Sequence, residues 1–351
     1  MKQTKKKVLL GMSGGVDSSV AAYLLKEDGY DVIGVTLEMW HEKIDNSVLE
    51  NPQNVKDICN QLNITHYTFN VENDFKKYVL DYLISEYENG RTPNPCVICN
   101  RYVKFQGLID KAKELNTEYI ATGHYAQTEK KDERYLLKKG IDEKKDQSYF
   151  LYNLSQEQLS KSIFPLGNLT KLEVRDIAKS LNLPVANRPD SQDICFLKDN
   201  NYKEFLEKSS KNKLPQGEVI DTQGTILGYH KGISQYTIGQ RRDLGIITGK
   251  PMFVVDIIPE TNQIVLGSNE DLLSKTLTAS NLNWIYFDTI HASIDIEAKI
   301  RYGAKPSKAV VTPINKDSVS VTFDESQRAI TKGQAVVFYN NEYVIGGGII
   351  D

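Results

Sequence analysis

The sequence has few cysteines and no long apolar run, and these absences exclude two classes of protein. Four cysteines in 351 residues do not make the disulfide framework that stabilises small secreted domains. No stretch approaches the roughly 18 consecutive apolar residues of a membrane span. The basic start KQTKKK leads into only VLLGM before the polar SGGVDSS, so a signal peptide is not predicted either. We therefore expect a cytoplasmic protein with no membrane partner.

A large net charge is missing as well, because 43 basic and 46 acidic residues leave a formal charge of -3 at pH 7. A nucleic-acid partner would need basic residues that are concentrated locally. Hydrophobic residues make up 40% and charged residues 25% of the chain, which is the composition of an ordinary globular protein. The length predicts two or three domains, with an interior large enough for an enzyme.

The first forty residues predict a βαβ unit. Residues 7–10, KVLL, form a short and mostly apolar run that is followed by glycine. VDSSVAAYLLKEDG has apolar residues at helical spacing, and DVIGVTLEMW is a second apolar run. Helix and strand patterns then alternate as far as the helix that a T-x-x-E capping box opens at Thr170. The alternation predicts an α/β fold with a parallel sheet, in which Cys59 fills the core from the apolar face of a helix.

Short β-like runs separated by turn signals dominate the chain after about Leu206, and no long helical pattern occurs after Leu273. This pattern predicts an all-β module at the C-terminus, in the form of a small barrel. We therefore expect three domains, at residues 1–205, 206–276 and 277–351.

The stretch GMSGGVDSS, residues 11–19, predicts a phosphate-binding loop between strand and helix. Its glycines let the backbone approach an anion, its serines add hydroxyl donors, and the helix dipole favours negative charge. The loop lacks the GK[ST] ending of a Walker A loop and is not G-x-G-x-x-G. Without a lysine for a transferring γ-phosphoryl group, it suits an enzyme that breaks ATP between the α and β phosphates. Asp17 either caps the helix or coordinates Mg²⁺.

Cys96 and Cys99 form a C-x-x-C behind P-N-P. No second pair of ligands follows at zinc spacing, so a structural zinc site is poorly supported. A thioredoxin-like couple needs its motif at a helix start, whereas the prolines predict a loop here. A third thiol, Cys195, lies in the polar DSQDICF, where a buried structural cysteine has no place. The three thiols are therefore predicted to do chemistry.

Several motifs, taken in order, resemble the bacterial tRNA-specific 2-thiouridylase family of the PP-loop ATP pyrophosphatase superfamily. They are SGGVDSS, NPCVICNRYVKF, ATGHYAQ, KDQSYFL, DSQDICF, GYHKGISQYTIGQRRDLGI, RYGAKP and GQAVVFY. The resemblance covers nearly the whole chain. It implies a PP-loop catalytic domain of the adenine nucleotide alpha hydrolase-like fold, a central domain that contacts tRNA, and a C-terminal β-barrel.

The implied activity is ATP-dependent replacement of O2 of the wobble uridine of tRNA by sulfur, which gives 2-thiouridine. Adenylation would turn O2, a poor leaving group, into a good one. Cys195 resembles the family's persulfide carrier, and Cys99 resembles the partner cysteine, which acts as nucleophile or forms a disulfide with Cys195. A cysteine desulfurase or a sulfur-relay protein would supply the sulfur. The implied ATP site consists of Gly11, Met12, Ser13, Gly14, Gly15, Val16, Asp17, Ser18, Leu37 and Gly123.

Thiolate is the reactive form of both cysteines, so their surroundings should be electropositive. Arg101, Lys104 and Arg188 are the sequence neighbours that could supply positive charge.

The resemblance also implies contacts with tRNA, including a target base flipped out of the anticodon stack. The implied residues are Asn94, Pro95, Cys96, His124, Lys145, Asp146, Gln147, Arg301, Tyr302 and Gln334. For each of them a structural or solvated role is the ordinary alternative. Arg241 and Arg242 are a stronger pattern, because two adjacent guanidinium groups in a turn suit phosphate contacts.

Cys96 departs from the pattern of some family members, which have an aspartate at this position. An aspartate could act as a general acid or base, whereas a thiol could join Cys99 and Cys195 as the ligands of an iron–sulfur cluster. The sequence leaves the persulfide and cluster routes open.

Two other functions account for part of the sequence. A PP-loop amide ligase would use the loop and leave the cysteines idle. A non-catalytic metal- or RNA-binding module would release no pyrophosphate from ATP. Cysteine substitution separates the first alternative from thiolation, and a pyrophosphate assay separates the second.

Overall fold

The computed structural model describes residues 5–40, 52–189, 194–197, 201–209, 215–247 and 249–351. The chain divides into two compact units. Unit 1 comprises Met1–Val79, Cys96–Lys198 and Glu342–Val344, and unit 2 comprises Leu80–Pro95, Asp199–Asn341 and Ile345–Asp351.

Unit 1 contains the predicted parallel sheet, with strand order β3-β2-β1-β4-β7. Its strands are β1 (Lys7–Gly11), β2 (Asp31–Glu38), β3 (Thr65–Asn70), β4 (Tyr119–Ala121) and β7 (Ser162–Ile163). Leu9 of β1 is fully buried and pairs with Ile33 on one side and Ile120 on the other. The chain leaves β1 towards β2 and returns on the opposite side at β4, so the crevice at the carboxyl ends of β1 and β4 is a topological switch point, where ligands bind in such sheets.

Helices cover this sheet and contribute its core. They are α1 (Val16–Glu27), α2 (Pro52–Gln61), α3 (Glu72–Phe75), α5 (Pro95–Cys99), α6 (Gln106–Glu114), α7 (Ser148–Leu151), α8 (Gln156–Lys161) and α9 (Lys171–Ser180). The predicted capping box at Thr170 is present, with Glu173 reciprocating. Cys59 is 1% exposed and packs in the core, which confirms its predicted structural role.

The alternation of helix and strand breaks after β4, although the stretch EYIATGHYAQ has the pattern of one strand with a polar exit. The chain instead forms an antiparallel hairpin of β5 (Ala126–Lys131) and β6 (Arg134–Lys139). Asp132 turns the hairpin with φ +52°. Residues 342–344 belong to unit 1, where Tyr343 pairs with Lys138.

The predicted loop at the C-x-x-C motif is wrong. Residues 95–114 are helical throughout, as α5, a π-helical segment at Asn100–Phe105 and α6. Pro95 begins this helix, and proline is favoured at a first helical position because its missing N–H would have no acceptor there. A second π-helical segment occupies Lys76–Leu80.

Unit 2 contains an open sheet and a closed barrel. The open sheet has the order β10-β11-β8-β9, from β8 (Gly217–Asp221), β9 (Ile226–His230), β10 (Phe253–Ile258) and β11 (Gln263–Gly267). Its core includes Val254, Ile264 and Leu266. The helices of this unit are α4 (Asp81–Glu88) and α10 (Tyr202–Ser209), with 3-10 turns at Ile233–Gln235, Pro259–Thr261 and Glu270–Leu272.

The barrel runs β12-β15-β14-β13-β16-β17 and closes when β17 pairs with β12. Its strands are β12 (Leu273–Trp284), β13 (Ile294–Lys299), β14 (Ser307–Asn315), β15 (Ser318–Arg328), β16 (Ala335–Asn340) and β17 (Tyr343–Ile350). Residues from Ile345 onward make the closing pairs, such as Ala279 with Ile350. The predicted C-terminal barrel is confirmed.

In the described part of the chain, no helix combines the length and the apolar composition that crossing a bilayer requires.

Candidate active site

The glycine-serine loop, residues 12–15, connects β1 to α1 at the switch point of the parallel sheet. Gly14 has φ +76°, a left-handed conformation that favours glycine. Gly15 is the N-cap of α1 and has no side chain with which to cap it. Among the described residues, the carboxylate of Asp17, in the first turn, pairs with Tyr125 and Lys171 and not with a backbone N–H of the helix start. The first N–H groups of α1 have no intrahelical acceptor and, with the helix dipole, can bind an anion.

The serines of the loop differ in what their hydroxyl groups do. Ser19 Oγ donates to Gly15 O at 2.8 Å and Ser18 Oγ to the same carbonyl at 3.2 Å. Both side chains are buried, whereas Ser13 is exposed. Ser18 and Ser19 therefore stabilise the loop. Ser13 contributes as well, because its Oγ lies 3.3 Å from Ser18 Oγ and accepts from Gly15 N at 3.4 Å.

Gly123 packs directly against the start of α1. A Cβ built at this position would lie 2.9 Å from both Asp17 C and Ser18 N. No side chain fits at residue 123 unless the backbone moves. This close approach follows from the fold, because β1 and β4 are neighbours and their carboxyl ends meet. Leu37 lies near the carboxyl end of β2 and would be 3.5 Å from a Cβ at Gly107.

Asp17 lies at the centre of a polar cluster that the sequence did not predict. Lys171 Nζ is 2.7 Å from Asp17 Oδ1 and 2.9 Å from Oδ2, and Tyr125 Oη donates to Oδ1 at 2.8 Å. The side chain of Lys171 is only 11% exposed. Tyr125 is itself held by Gln147, whose Oε1 accepts from Tyr125 N at 3.0 Å. A carboxylate beside the loop can share a Mg²⁺ ion with phosphate oxygens. In this structure the Asp17 carboxylate forms an ion pair with the Lys171 ammonium group.

Cys96 and Cys99 lie three residues apart at the start of the helix that runs from Pro95 to Glu114. Positions three apart face the same side of an α-helix. Cys96 is half-buried, Cys99 is 5% exposed, and Cys99 Sγ lies 4.0 Å from Met39 Sδ. The motif therefore presents two thiols from one rigid face.

The π-helical segment at Asn100–Phe105 brings a lysine to this face. In an α-helix, two residues five positions apart point about 140° apart around the axis. In a π-helical turn, whose hydrogen bonds join residues i and i+5, the same two residues point to nearly the same side. Lys104 is five residues beyond Cys99 and half-buried. In the described residues it has no carboxylate within ion-pair distance. The predicted electropositive surroundings are present at Lys104.

Cys195 lies in the segment 194–197, where it is exposed. Phe196 packs edge-on against Phe75 at 5.3 Å between ring centroids, and Leu197 is buried. The charges of Cys195 and Cys96 affect the pKa of Cys99, and the charges of all three cysteines affect the pKa of Lys104. The three predicted thiols therefore lie in unit 1 within range of one another's charge.

Burial dominates the pKa of these groups. It raises the pKa of Cys99 to about 12, against the lowering effect of Lys104, and it raises the pKa of Cys96 in the same way. Burial lowers the pKa of Lys104, negative charge on the three cysteines raises it, and the net direction is upward. With its pKa raised, Cys99 is a thiol at neutral pH.

All four cysteines are free thiols, so the predicted disulfide is not found. Within the described ranges, no three side chains of His, Cys, Asp or Glu are grouped to hold a metal ion. This result gives the predicted iron–sulfur cluster on Cys96, Cys99 and Cys195 no support.

His124 follows β4 and is surrounded by aromatic rings. Its Nδ1 is 2.8 Å from Thr122 Oγ1, and its ring centroid lies 5.8 Å from that of Phe105 and 6.4 Å from that of Phe164. Burial, assisted by Lys104, lowers the pKa of His124 to about 3. The imidazole is neutral, and its contact with tRNA stays a prediction.

The segment 145–147 is largely engaged within unit 1. Asp146 is 8% exposed, and its Oδ1 accepts from Gly140 N at 3.0 Å while its Oδ2 accepts from Ser148 Oγ at 2.8 Å. Lys145 is half-buried. Asp146 and Gln147 thus position the turn and Tyr125, and their predicted tRNA contacts are untested.

The predicted tRNA-contacting residues of unit 2 lie in two settings. Gln334 Nε2 donates to Thr92 O at 2.8 Å and to Pro93 O at 3.2 Å, which fixes the segment that leads to Asn94 and Pro95. Four others, Arg301, Tyr302, Arg241 and Arg242, are exposed. Lys299 lies over the ring of Tyr302 at 5.5 Å.

Sequence reasoning missed Lys171, Tyr125 and a stacked tyrosine pair, Tyr78 and Tyr102. Lys171 directly follows the capping box that was recognised, but nothing in the sequence connects it with Asp17. The tyrosines occur in KKY and RY, where alternating basic and aromatic residues were the available signal.

Three family models match successive parts of the chain. They are the tRNA methyl transferase HUP domain at residues 6–199, the tRNA methyl transferase PRC-barrel domain at 203–268, and the aminomethyltransferase beta-barrel domain at 274–350. Together with the loop at the switch point, they define a HUP-domain protein with two appended β domains, which confirms the predicted fold class.

Curated relatives match over the full length. The tRNA-specific 2-thiouridylase MnmA of Clostridioides difficile (strain 630) is 51% identical over 354 residues, or 99% of this chain and 98% of that protein. The protein of the same name from Clostridium botulinum (strain Alaska E43 / Type E3) is 50% identical and covers 100% of this chain and 99% of its own. The chain belongs to the tRNA-specific 2-thiouridylase family and is an enzyme. The resemblance seen in the sequence is confirmed.

Among solved structures, a 4-thiouridine synthetase in complex with RNA and bound ATP is 18% identical, with a TM-score of 0.35, and covers 58% of this chain and 50% of its own. A TM-score at this level supports no further conclusion.

Proposed function

We propose that the chain uses ATP to replace O2 of the wobble uridine of tRNA by sulfur, forming 2-thiouridine. Its relatives are named for tRNA-specific 2-thiouridylation. The observation that carries the proposal is that Cys96, Cys99 and Cys195 lie near enough to Lys104 for their charges to affect its pKa, in the same unit that holds the glycine-serine loop.

Activation of the base uses the loop. ATP is a substrate that residues 11–18, Leu37 and Gly123 would bind, with its phosphates on the N–H groups of α1. O2 of the uracil attacks the α-phosphorus, the bond to the β-phosphate breaks, and pyrophosphate leaves. Asp17 would share Mg²⁺ with the phosphate oxygens. The product is an O2-adenylate, in which AMP is a good leaving group.

Sulfur transfer uses the cysteines. The terminal sulfur of a Cys195 persulfide attacks C2, the C2–O2 bond breaks, and AMP leaves. The Cys99 thiolate then attacks Cys195 Sγ, which forms the Cys99–Cys195 disulfide and leaves sulfur on C2. An external thiol must reduce this disulfide before the next turnover. The Lys104 ammonium stabilises the thiolate that each step requires.

Cys195 is the exposed thiol of the three, so it is the one that a macromolecular sulfur donor can reach. We propose a cysteine desulfurase or a sulfur-relay protein as this donor. A cytoplasmic location follows from the proposed substrate. Contact of the tRNA with Asn94 to Cys96 and with the exposed Arg301 and Tyr302 is part of the same proposal.

Cysteine substitutions test the proposal. Cys99→Ala and Cys195→Ala should abolish 2-thiouridine, measured by mass spectrometry of digested tRNA, while tRNA-dependent pyrophosphate release persists. Cys59→Ala is the matched control, because Cys59 is a core thiol, and it should retain thiolation. If both active-site variants continue to thiolate tRNA, the proposed route is wrong.

The same preparations address the alternatives. An amide ligase would release pyrophosphate with a substrate other than tRNA and would be unaffected by both cysteine substitutions. Thiolation that requires iron and sulfide in anaerobically purified protein would support a cluster.

A further inference from the structure

Tyr78 and Tyr102 form a stacked pair on the surface of unit 1. Their ring centroids are 5.2 Å apart with an interplanar angle of 15°. Tyr102 is 40% exposed and Tyr78 is half-buried. Tyr102 lies three residues beyond Cys99 in the continuous helical stretch 95–114, so a rigid element connects the pair to the cysteine motif.

Cations surround this pair. Lys77 Nζ lies 4.7 Å from the centroid of Tyr78, and the Arg101 guanidinium lies 5.4 Å from that of Tyr102. Arg101 is fixed by donating to Asn153 O and Oδ1, each at 2.7 Å. Lys76 and Lys77 are exposed, and in the described ranges neither is within ion-pair distance of a carboxylate. Asp74 is the nearest acidic residue along the chain.

We propose that Tyr78 and Tyr102 are a stacking platform for an unpaired base of the tRNA anticodon loop next to the target uridine. The inference rests on the proposed function and adds to it a binding site for the unpaired bases of the tRNA anticodon loop. Flipping the target base removes stacking from its neighbour, and the exposed face of Tyr102 replaces that stacking.

The combination of groups fits single-stranded RNA better than a protein surface. Every base has a π-face, so an aromatic platform accepts it regardless of sequence, while flanking lysines contact the phosphates. A net-acidic chain can bind RNA in this way because three cations, Lys76, Lys77 and Arg101, are concentrated within two short segments.

Three substitutions of Tyr102 separate stacking from side-chain volume. Tyr102→Phe keeps the ring, Tyr102→Leu keeps an apolar side chain without a π-face, and Tyr102→Ala removes both. Fluorescence anisotropy with an anticodon stem-loop hairpin should show affinity within about twofold of wild type for Phe and about 5- to 100-fold weaker for Leu and Ala. A fully paired RNA duplex should bind equally to all four proteins, and thermal unfolding checks that each is folded.

Lysine substitutions give a second, independent readout. Lys76→Gln and Lys77→Gln should each lower the slope of log affinity against log salt by about 1 for the hairpin. They should leave the preference for Phe over Leu at position 102 unchanged, because the phosphate and stacking contributions are separate.

The outcomes distinguish the platform from the proposed function. If wild type forms 2-thiouridine and Tyr102→Leu raises the KM for tRNA at unchanged kcat, both stand. If the Leu variant binds the hairpin like wild type, the platform is wrong, whether or not tRNA is thiolated. If RNA affinity is unchanged and sulfur uptake by Cys195 falls instead, the patch binds the sulfur donor and the proposal is overturned. Tyr102-dependent hairpin binding without 2-thiouridine would refute only the proposed function.

Discussion

Lys171 Nζ lies 2.7 Å from Asp17 Oδ1 and 2.9 Å from Asp17 Oδ2, although 154 residues separate the two in sequence. This ion pair joins the first residue of α9 to the first turn of α1 beside the phosphate loop. Tyr125 adds a third member by donating to the same carboxylate. The carboxylate is thus held in place before any ligand binds.

Replacing Lys171 should therefore weaken both the fold and the loop. Lys171→Met leaves Asp17 with Tyr125 as its hydrogen-bond donor, and we expect a loss of about 1–2 kcal/mol in the free energy of unfolding in urea. Pyrophosphate release should fall because the carboxylate is less well oriented, and Lys171→Arg should restore much of both. An unfolding curve for the Met variant that superimposes on wild type would show that the pair is only a surface contact.

Gly123 should tolerate no side chain. Gly123→Ala places a Cβ 2.9 Å from the backbone of Asp17 and Ser18, so either β4 or the start of α1 must move. We expect ATP binding, measured by isothermal titration calorimetry, to weaken by at least about tenfold, which corresponds to roughly 1.4 kcal/mol. Gly303→Ala is the control, because a Cβ there meets nothing within 4 Å. Equal affinities for the two variants would mean that the loop does not bind the nucleotide.

Alkylation of Cys99 should depend steeply on pH. Because burial raises the pKa of this thiol to about 12, its thiolate fraction increases about tenfold per pH unit throughout the range below that value. Iodoacetamide labelling of the Cys99 peptide, followed by mass spectrometry, should rise between about pH 7 and about pH 10 without reaching a plateau.

The cation beside Cys99 provides the matching control. Lys104 lowers the pKa of Cys99, so Lys104→Met should raise that pKa and slow labelling at every pH, whereas Lys104→Arg should not. A plateau near pH 8 in the wild type would contradict the buried setting of this thiol.

We expect the main role of Gln334 to be structural, through hydrogen bonds to its own chain. Its amide donates to the carbonyls of Thr92 and Pro93, and Gln334→Glu replaces that donor with a carboxylate facing two carbonyl oxygens. We expect both Gln334→Glu and Gln334→Ala to lower the free energy of unfolding, by about 1–3 kcal/mol. If both variants unfold like wild type and only tRNA affinity falls, Gln334 contacts tRNA rather than its own chain.

Local patterns in the sequence were enough to predict the parallel sheet, the phosphate loop and the C-terminal barrel. Each depends on periodicity or turn residues within about ten positions, and the capping box at Thr170 depends on four. The core position of Cys59 followed from helical spacing in the same way. These features are local, so they can be predicted before any tertiary contact is known.

The errors have equally specific causes. The hairpin from Ala126 to Lys139 has strands that are largely polar, so they lack the alternation of a half-buried strand. Pro-Asn-Pro was interpreted as a loop, although Pro95 is also what a helix start favours. The π-helical turn that places Lys104, and the pairing of Lys171 with Asp17, depend on packing that a single sequence does not encode locally.

The exposure of Cys195 has a consequence beyond catalysis. A thiol open to a sulfur donor is equally open to peroxide, which converts an accessible cysteine to a sulfenic acid. Cys99, 5% exposed, is shielded from the same reagent. On the proposed mechanism, oxidative stress would then stop the enzyme at Cys195 in a form that a cellular reductant can reverse.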